Sequence, residues 1–88
     1  MYIVISKLTD SVFKNQNSFF DLKLSIPEGV KSLYFIDNSG WIEYFDKEND
    51  VISNLPDWAN QCISLYDAEF SKLEKLQTQP EATGLQTL

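Results

Sequence analysis

From Leu55 to Leu76 apolar residues recur at every third or fourth position. Trp58, Cys62, Leu65, Tyr66, Leu73 and Leu76 form the stripe, and Ala59, Ile63 and Phe70 widen it. Asn60, Gln61, Ser64, Asp67, Ser71, Lys72 and Lys75 fall on the other side. At ~3.6 residues per turn this pattern predicts an amphipathic helix of about five to six turns. Pro56 suits the first turn, where its missing N–H costs nothing, and Asp57 puts negative charge at the positive end of the helix dipole. Asn54 or Leu55 then precedes the helix as its cap. Trp58, Cys62, Leu65 and Tyr66 are expected to anchor the core. Glu69 breaks the pattern by falling inside the apolar arc. An unpaired buried carboxylate is too costly, so Glu69 should reach water at the rim or pair with a lysine such as Lys23 or Lys31.

Upstream the period shortens to two. Tyr2 to Ser6 is a short apolar, β-branched run that predicts a strand. Lys7 to Ser18 is polar and irregular and reads as a loop, with Val12 and Phe13 tucked onto the core. From Phe19 to Ile26 the alternation is clean: Phe20, Leu22, Leu24 and Ile26 face one way, Asp21, Lys23 and Ser25 the other, as in a half-buried strand. Pro27, Glu28 and Gly29 supply a turn, Gly29 allowing a positive φ. Val30 to Asp37 and Trp41 to Asp46 flank Asn38, Ser39 and Gly40, which predicts a hairpin with a three-residue connection and a bulge at Gly40. Both faces of this hairpin are apolar, since Leu33 and Phe35 oppose Tyr34 and Ile36, while Trp41 and Phe45 oppose Ile42 and Tyr44. Asp46 to Asp50 is a charged loop, and Val51 to Ser53 a short extended piece.

These elements predict an α+β fold: a small antiparallel sheet of three to four strands with one C-terminal helix packed on one face. Residues 1–76 make a single domain. Beyond residue 77, Pro80, Gly84 and the loss of periodicity predict a flexible tail through Leu88. Eighty-eight residues with 43% apolar and 14% aromatic content can fill one core. The net charge of -6, with only seven scattered basic residues, argues against a phosphate-binding surface, so no nucleic-acid partner is expected. No run approaches the ~20 apolar residues of a membrane span, and no membrane partner is expected. Cys62 stands alone, which fits a reducing compartment and a buried thiol acting as a small hydrophobe.

Candidate chemistry is thin. Histidine is absent, which removes the usual general base and zinc ligand. Asp46, Glu48 and Asp50 resemble the start of a calcium loop, but Val51 stands where glycine is needed. Asp37 and Glu43 make no acid/base pair without a pocket, and the three glycines are too isolated to cradle a phosphate. The expectation is a chain that is not an enzyme and takes no cofactor and no metal. Tyr and Trp favour interfaces as well as cores, and the helix covers only one face of the hairpin. The set Tyr34, Ile36, Ile42 and Tyr44, or its opposite, is therefore the expected contact surface.

Three segments carry a family resemblance: Ile26-Pro27-Glu28-Gly29-Val30, Gly40-Trp41-Ile42-Glu43-Tyr44 and Leu55-Pro56-Asp57-Trp58-Ala59. In their order along residues 26–70 they resemble a class of small tailed-bacteriophage proteins encoded near tail-fibre genes. Where that class has Trp or a polar residue at the end of the first hairpin strand, this chain has Phe35-Ile36-Asp37. The resemblance implies a virion tail component or a tail-fibre assembly accessory, assembled in the host cytoplasm. Its partners would be other tail proteins or a second copy in a homo-oligomer. The alternative is a small phage-encoded inhibitor of a host defence protein.

Overall fold

The computed structural model describes residues 1–79, with side chains through Glu74. Among these residues there is one antiparallel sheet of six strands and one helix, an α+β arrangement. The strands are β1 (Tyr2–Ser6), β2 (Ser11–Lys14), β3 (Asn17–Phe19), β4 (Val30–Ile36), β5 (Ser39–Tyr44) and β6 (Asp50–Ile52). They lie in the order β3-β2-β1-β4-β5-β6. Helix α1 spans Asp57–Gln79. It begins on the Pro56 carbonyl, which accepts from Ala59 N at 3.0 Å and Asn60 N at 3.1 Å, so Pro56 itself is the capping residue. The helix runs three residues past Leu76, and the rest of the expected tail lies outside the described residues.

The sheet exceeds the expected three to four strands because the polar stretch after Ser6 pairs. Asn15 adopts φ 60°, which lets a two-residue connection join Lys14 to Asn17 with the twist a hairpin needs. A polar asparagine tolerates that conformation, and its side chain also accepts from Tyr2 N at 3.2 Å. The expected strand at Phe19–Ile26 is the opposite case. Only Phe19 belongs to the sheet, and residues 20–29 are irregular. The alternation is real in its burial, with Leu22, Leu24 and Ile26 packed on the core. But Asp21 and Lys23 both sit at φ 58°, which curls the backbone out of the extended form.

Asp10 holds that curl in place. Its carboxylate accepts from Lys23 N at 2.7 Å and Leu24 N at 2.8 Å, and its carbonyl accepts from Leu22 N at 3.0 Å. Backbone donors that would have joined a ladder are thus satisfied by one residue, through its carboxylate and its carbonyl. Gly29 then takes φ 89° in a turn closed by Val30 N donating to Pro27 O, as the Pro-x-Gly pattern predicts.

Register fixes what each face carries. On the helix side one row runs Phe19, Val12, Ile5, Leu33, Ile42, Asp50 across all six strands. The next row on that side holds Ile3, Phe35, Gly40 and Ile52. Ile3, Ile5, Val12 and Leu33 are fully buried under Ala59, Cys62 and Tyr66 of the helix. Each such side chain contributes about 1.5–3 kcal/mol by leaving water. A bulge at Lys31 shifts the register between Val30 and Ser32. Without that extra residue Val30 would face away from the helix; with it, Val30 points into the core.

Tyr66 clamps the helix to the sheet edge. Its ring meets Phe19 edge-on at 5.1 Å and its hydroxyl donates to Lys14 O at 3.4 Å. Lys14 reaches over the same ring and pairs with Asp67 at 2.9 Å. Cys62 and Tyr66 are buried as expected, and Trp58 is half-buried against the core. Leu65 is not a core anchor. It is 41% exposed, because the sheet lies under the Ala59–Cys62–Tyr66 line of the helix and Leu65 points to its flank. Glu69 sits half-exposed and pairs with Lys72, one turn away at 3.1 Å, in place of Lys23 or Lys31.

Candidate binding face

Among the described residues, no layer covers the side of the sheet away from the helix. Its central row crosses every strand: Ser18, Phe13, Val4, Tyr34, Trp41 and Val51. Tyr2 and Ile36, paired across β1 and β4, extend the apolar area toward one end. Ser11, Ser6, Ser32 and Glu43 form a polar row toward the other. Tyr2 is 44% and Ile36 42% exposed, and Val51 at the sheet edge is 85% exposed. The Lys7–Ser18 segment does not fold back over this surface, because it is spent as β2 and β3 of the same sheet. Phe13 therefore lies on the open face, edge-on to Tyr2 at 5.6 Å, while its neighbour Val12 is buried beneath the helix.

Two of the four residues expected at the contact surface belong to the other side. Tyr34 and Ile36 are on the open face, but Ile42 is buried opposite Leu33 and Tyr44 packs on the helix-side core. The cause is the hairpin connection. Ile36 pairs with Ser39 across a two-residue turn, with Asp37 at φ 58°, so Ser39 and Gly40 belong to the strand. Changing the length of a connection changes which side chains share a face. Tyr34 consequently faces Trp41 and not Tyr44. Gly40 serves close approach: a Cβ there would collide with the Tyr34 carbonyl oxygen and lie 2.7 Å from the Phe35 Cα.

The part of the open face with the most side-chain contacts is a cluster on β4 and β5. The Tyr34 and Trp41 rings stack at 5.0 Å with an interplanar angle of 18°. Trp41 Nε1 donates to Glu43 Oε2 at 3.1 Å, and Ser32 Oγ donates to Glu43 Oε1 at 3.0 Å. Glu43 thus fixes the indole, and Ser32, directly opposite, fixes Glu43. Glu43 belongs to none of the ion pairs found among the described residues. Shallow grooves flank the cluster, one of about 460 Å³ at Tyr2, Val4, Phe13 and Asn15 and one of about 390 Å³ beside Trp41 and Val51.

Other polar groups are held in local roles. Asp50 accepts from the Tyr44 hydroxyl at 2.7 Å, and Lys47 lies 4.2 Å from the centre of the same ring. That hydrogen bond raises the Tyr44 phenol above its usual value. Burial, with the negative charge of Asp10 nearby, pushes the Cys62 thiol up to about 11. A thiol so placed is protonated at neutral pH and a poor nucleophile. Sequence reasoning offered Trp41 among the hairpin aromatics that could serve an interface, but it did not foresee that Glu43 would hold the indole. The i, i+2 spacing of Trp41 and Glu43 on one strand was the available signal, since such residues share a face.

No family model, curated protein or solved structure matches this chain.

Proposed function

We propose that this chain is a non-enzymatic binding protein of a bacteriophage tail, a virion component or tail-fibre assembly accessory, that works by docking its open sheet face on another protein. The observation that carries the binding role is the uncovered row of Phe13, Val4, Tyr34, Trp41 and Val51, flanked by Tyr2 and Ile36. Water-soluble monomers seldom expose contiguous apolar areas of this kind unless something covers them in use. Tyr and Trp are also the residues most enriched among interface anchors. The phage-tail setting rests on the resemblance carried by residues 26–70.

Tyr34→Lys in the phage genome, combined with mass spectrometry of purified particles, tests both parts. Tyr34 is only half-buried, so the lysine is tolerated by the fold while a charge enters the centre of the face. The expected result is a defined copy number in wild-type particles and loss of the protein, or failure of tail assembly, in the variant. Presence only in infected-cell lysate, bound to a host protein, would favour the inhibitor reading. Normal particles containing the Tyr34→Lys protein at full copy number would refute docking by this face.

A further inference from the structure

We infer that the open face receives an arginine of a different protein, its guanidinium laid on the Trp41–Tyr34 stack and forked onto Glu43. The inference rests on the proposal that this face is the docking surface, and it names the chemistry of the partner. Three features of the cluster lead to it. Glu43 accepts two hydrogen bonds, from Ser32 and Trp41, out of about four acceptor positions on a carboxylate. About two therefore remain for an incoming donor. None of the ion pairs among the described residues involves Glu43, so its charge has no cationic partner among them. The indole beside it is held flat against Tyr34, presenting a fixed aromatic surface.

A cation is the natural complement to a carboxylate beside an aromatic ring, and arginine fits better than lysine. Its guanidinium is planar, stacks on rings, matches a carboxylate in two-pronged geometry and sheds water more readily than an ammonium group. Docking on the apolar row also desolvates Glu43 in the polar row beside it, and a carboxylate left unpaired there would oppose binding.

A second copy of the chain cannot supply this group. All seven basic residues are lysines, and the sequence contains no arginine. Lys14 and Lys72 are in ion pairs, and Lys47 lies over Tyr44. Face-to-face pairing of two copies would bring two Glu43 carboxylates into one interface between chains of net charge -6. Charge complementarity thus points to a heterologous partner whose contact surface is apolar around one arginine.

The test is a two-dimensional NMR titration of the whole chain with N-acetyl-arginine amide, and separately with N-acetyl-lysine amide. The Trp41 indole N–H and the Ser32 and Glu43 amides should shift with arginine, saturating at a Kd on the order of 10 mM. The Trp58 indole, on the helix side, should stay still. The lysine probe should bind about fivefold more weakly, and Glu43→Gln should weaken arginine binding by about the same factor. Tyr34→Leu, which keeps Glu43 but removes half the stack, should weaken it as well. Unmoved Trp41 resonances at 100 mM probe (roughly tenfold above the expected Kd) would overturn the inference, as would equal binding of both probes or an unchanged affinity in Glu43→Gln. Broadening of these resonances with protein concentration alone would mean that a second copy occupies the face. That result overturns the arginine assignment while leaving docking by the open face intact. Only the particle experiment with Tyr34→Lys bears on that wider reading.

Discussion

Asp10 is the residue whose removal should reveal how the irregular segment 20–29 is held. It adopts φ 52° and accepts backbone hydrogen bonds from Lys23 and Leu24 through both carboxylate oxygens. A hydrogen bond to a charged group contributes about 1.5–3 kcal/mol when its loss strands the partner. The Leu24 donor is partly buried and should cost within that range. The Lys23 donor is exposed and regains water, so about 1 kcal/mol is the better figure there. Alanine adds about 1 kcal/mol for a Cβ in the left-handed region. Asp10→Ala should therefore destabilise by roughly 3.5–5 kcal/mol, a large share of the ~5–15 kcal/mol a domain has. Asp10→Gly loses the same hydrogen bonds without the backbone strain, and should be about 1 kcal/mol less harmful than alanine. Asp10→Asn keeps one oxygen acceptor and tolerates positive φ, and should cost about 1–1.5 kcal/mol. Urea denaturation followed by circular dichroism gives these values directly, and the melting temperature should fall by about 4–8 °C per kcal/mol. Alanine within ~0.5 kcal/mol of wild type would refute the reasoning. Segment 20–29 would then be held by Leu22, Leu24 and Ile26 alone.

Two further outcomes follow from packing and protonation. Gly40→Ala should destabilise by more than about 3 kcal/mol, since the new methyl meets backbone and not a movable side chain, and a variant that melts normally would show that β4 and β5 can part. The neutral Cys62 thiol is favoured by folding, so its contribution is complete below the ordinary value of 9.0 and is lost as pH rises through about 11. The wild type should thus lose about 2 kcal/mol relative to Cys62→Ala between pH 8 and 11, measured by denaturation at each pH, and parallel pH profiles would contradict a buried thiol.

Elements whose signal is local could be read from the chain alone. The helix stripe from Trp58 to Leu73 and the Pro27–Gly29 turn were legible because side-chain period and backbone stiffness act within a few residues. So was the two-sided hairpin, because Leu33, Tyr34, Phe35 and Ile36 in succession place apolar side chains on both faces of a strand. The α+β class followed from these. Tertiary structure decided the rest, because each remaining choice depended on a partner far along the chain. Residues 19–26 alternate like a strand, yet the Asp10 carboxylate, more than ten residues away, takes the backbone donors a ladder would need. The polar stretch after Ser6 looks like a loop until β1 offers it an edge, and β-structure is set more by such pairing than by propensity. Which residues line the open face turned on whether the hairpin connection had two residues or three. Both lengths suit the local sequence, and only burial of Leu33, Ile42 and Val30 under the helix selects one. The cluster of Ser32, Tyr34, Trp41 and Glu43 exists only in that register, which is why the candidate site was visible in the chain as residues but not as a surface.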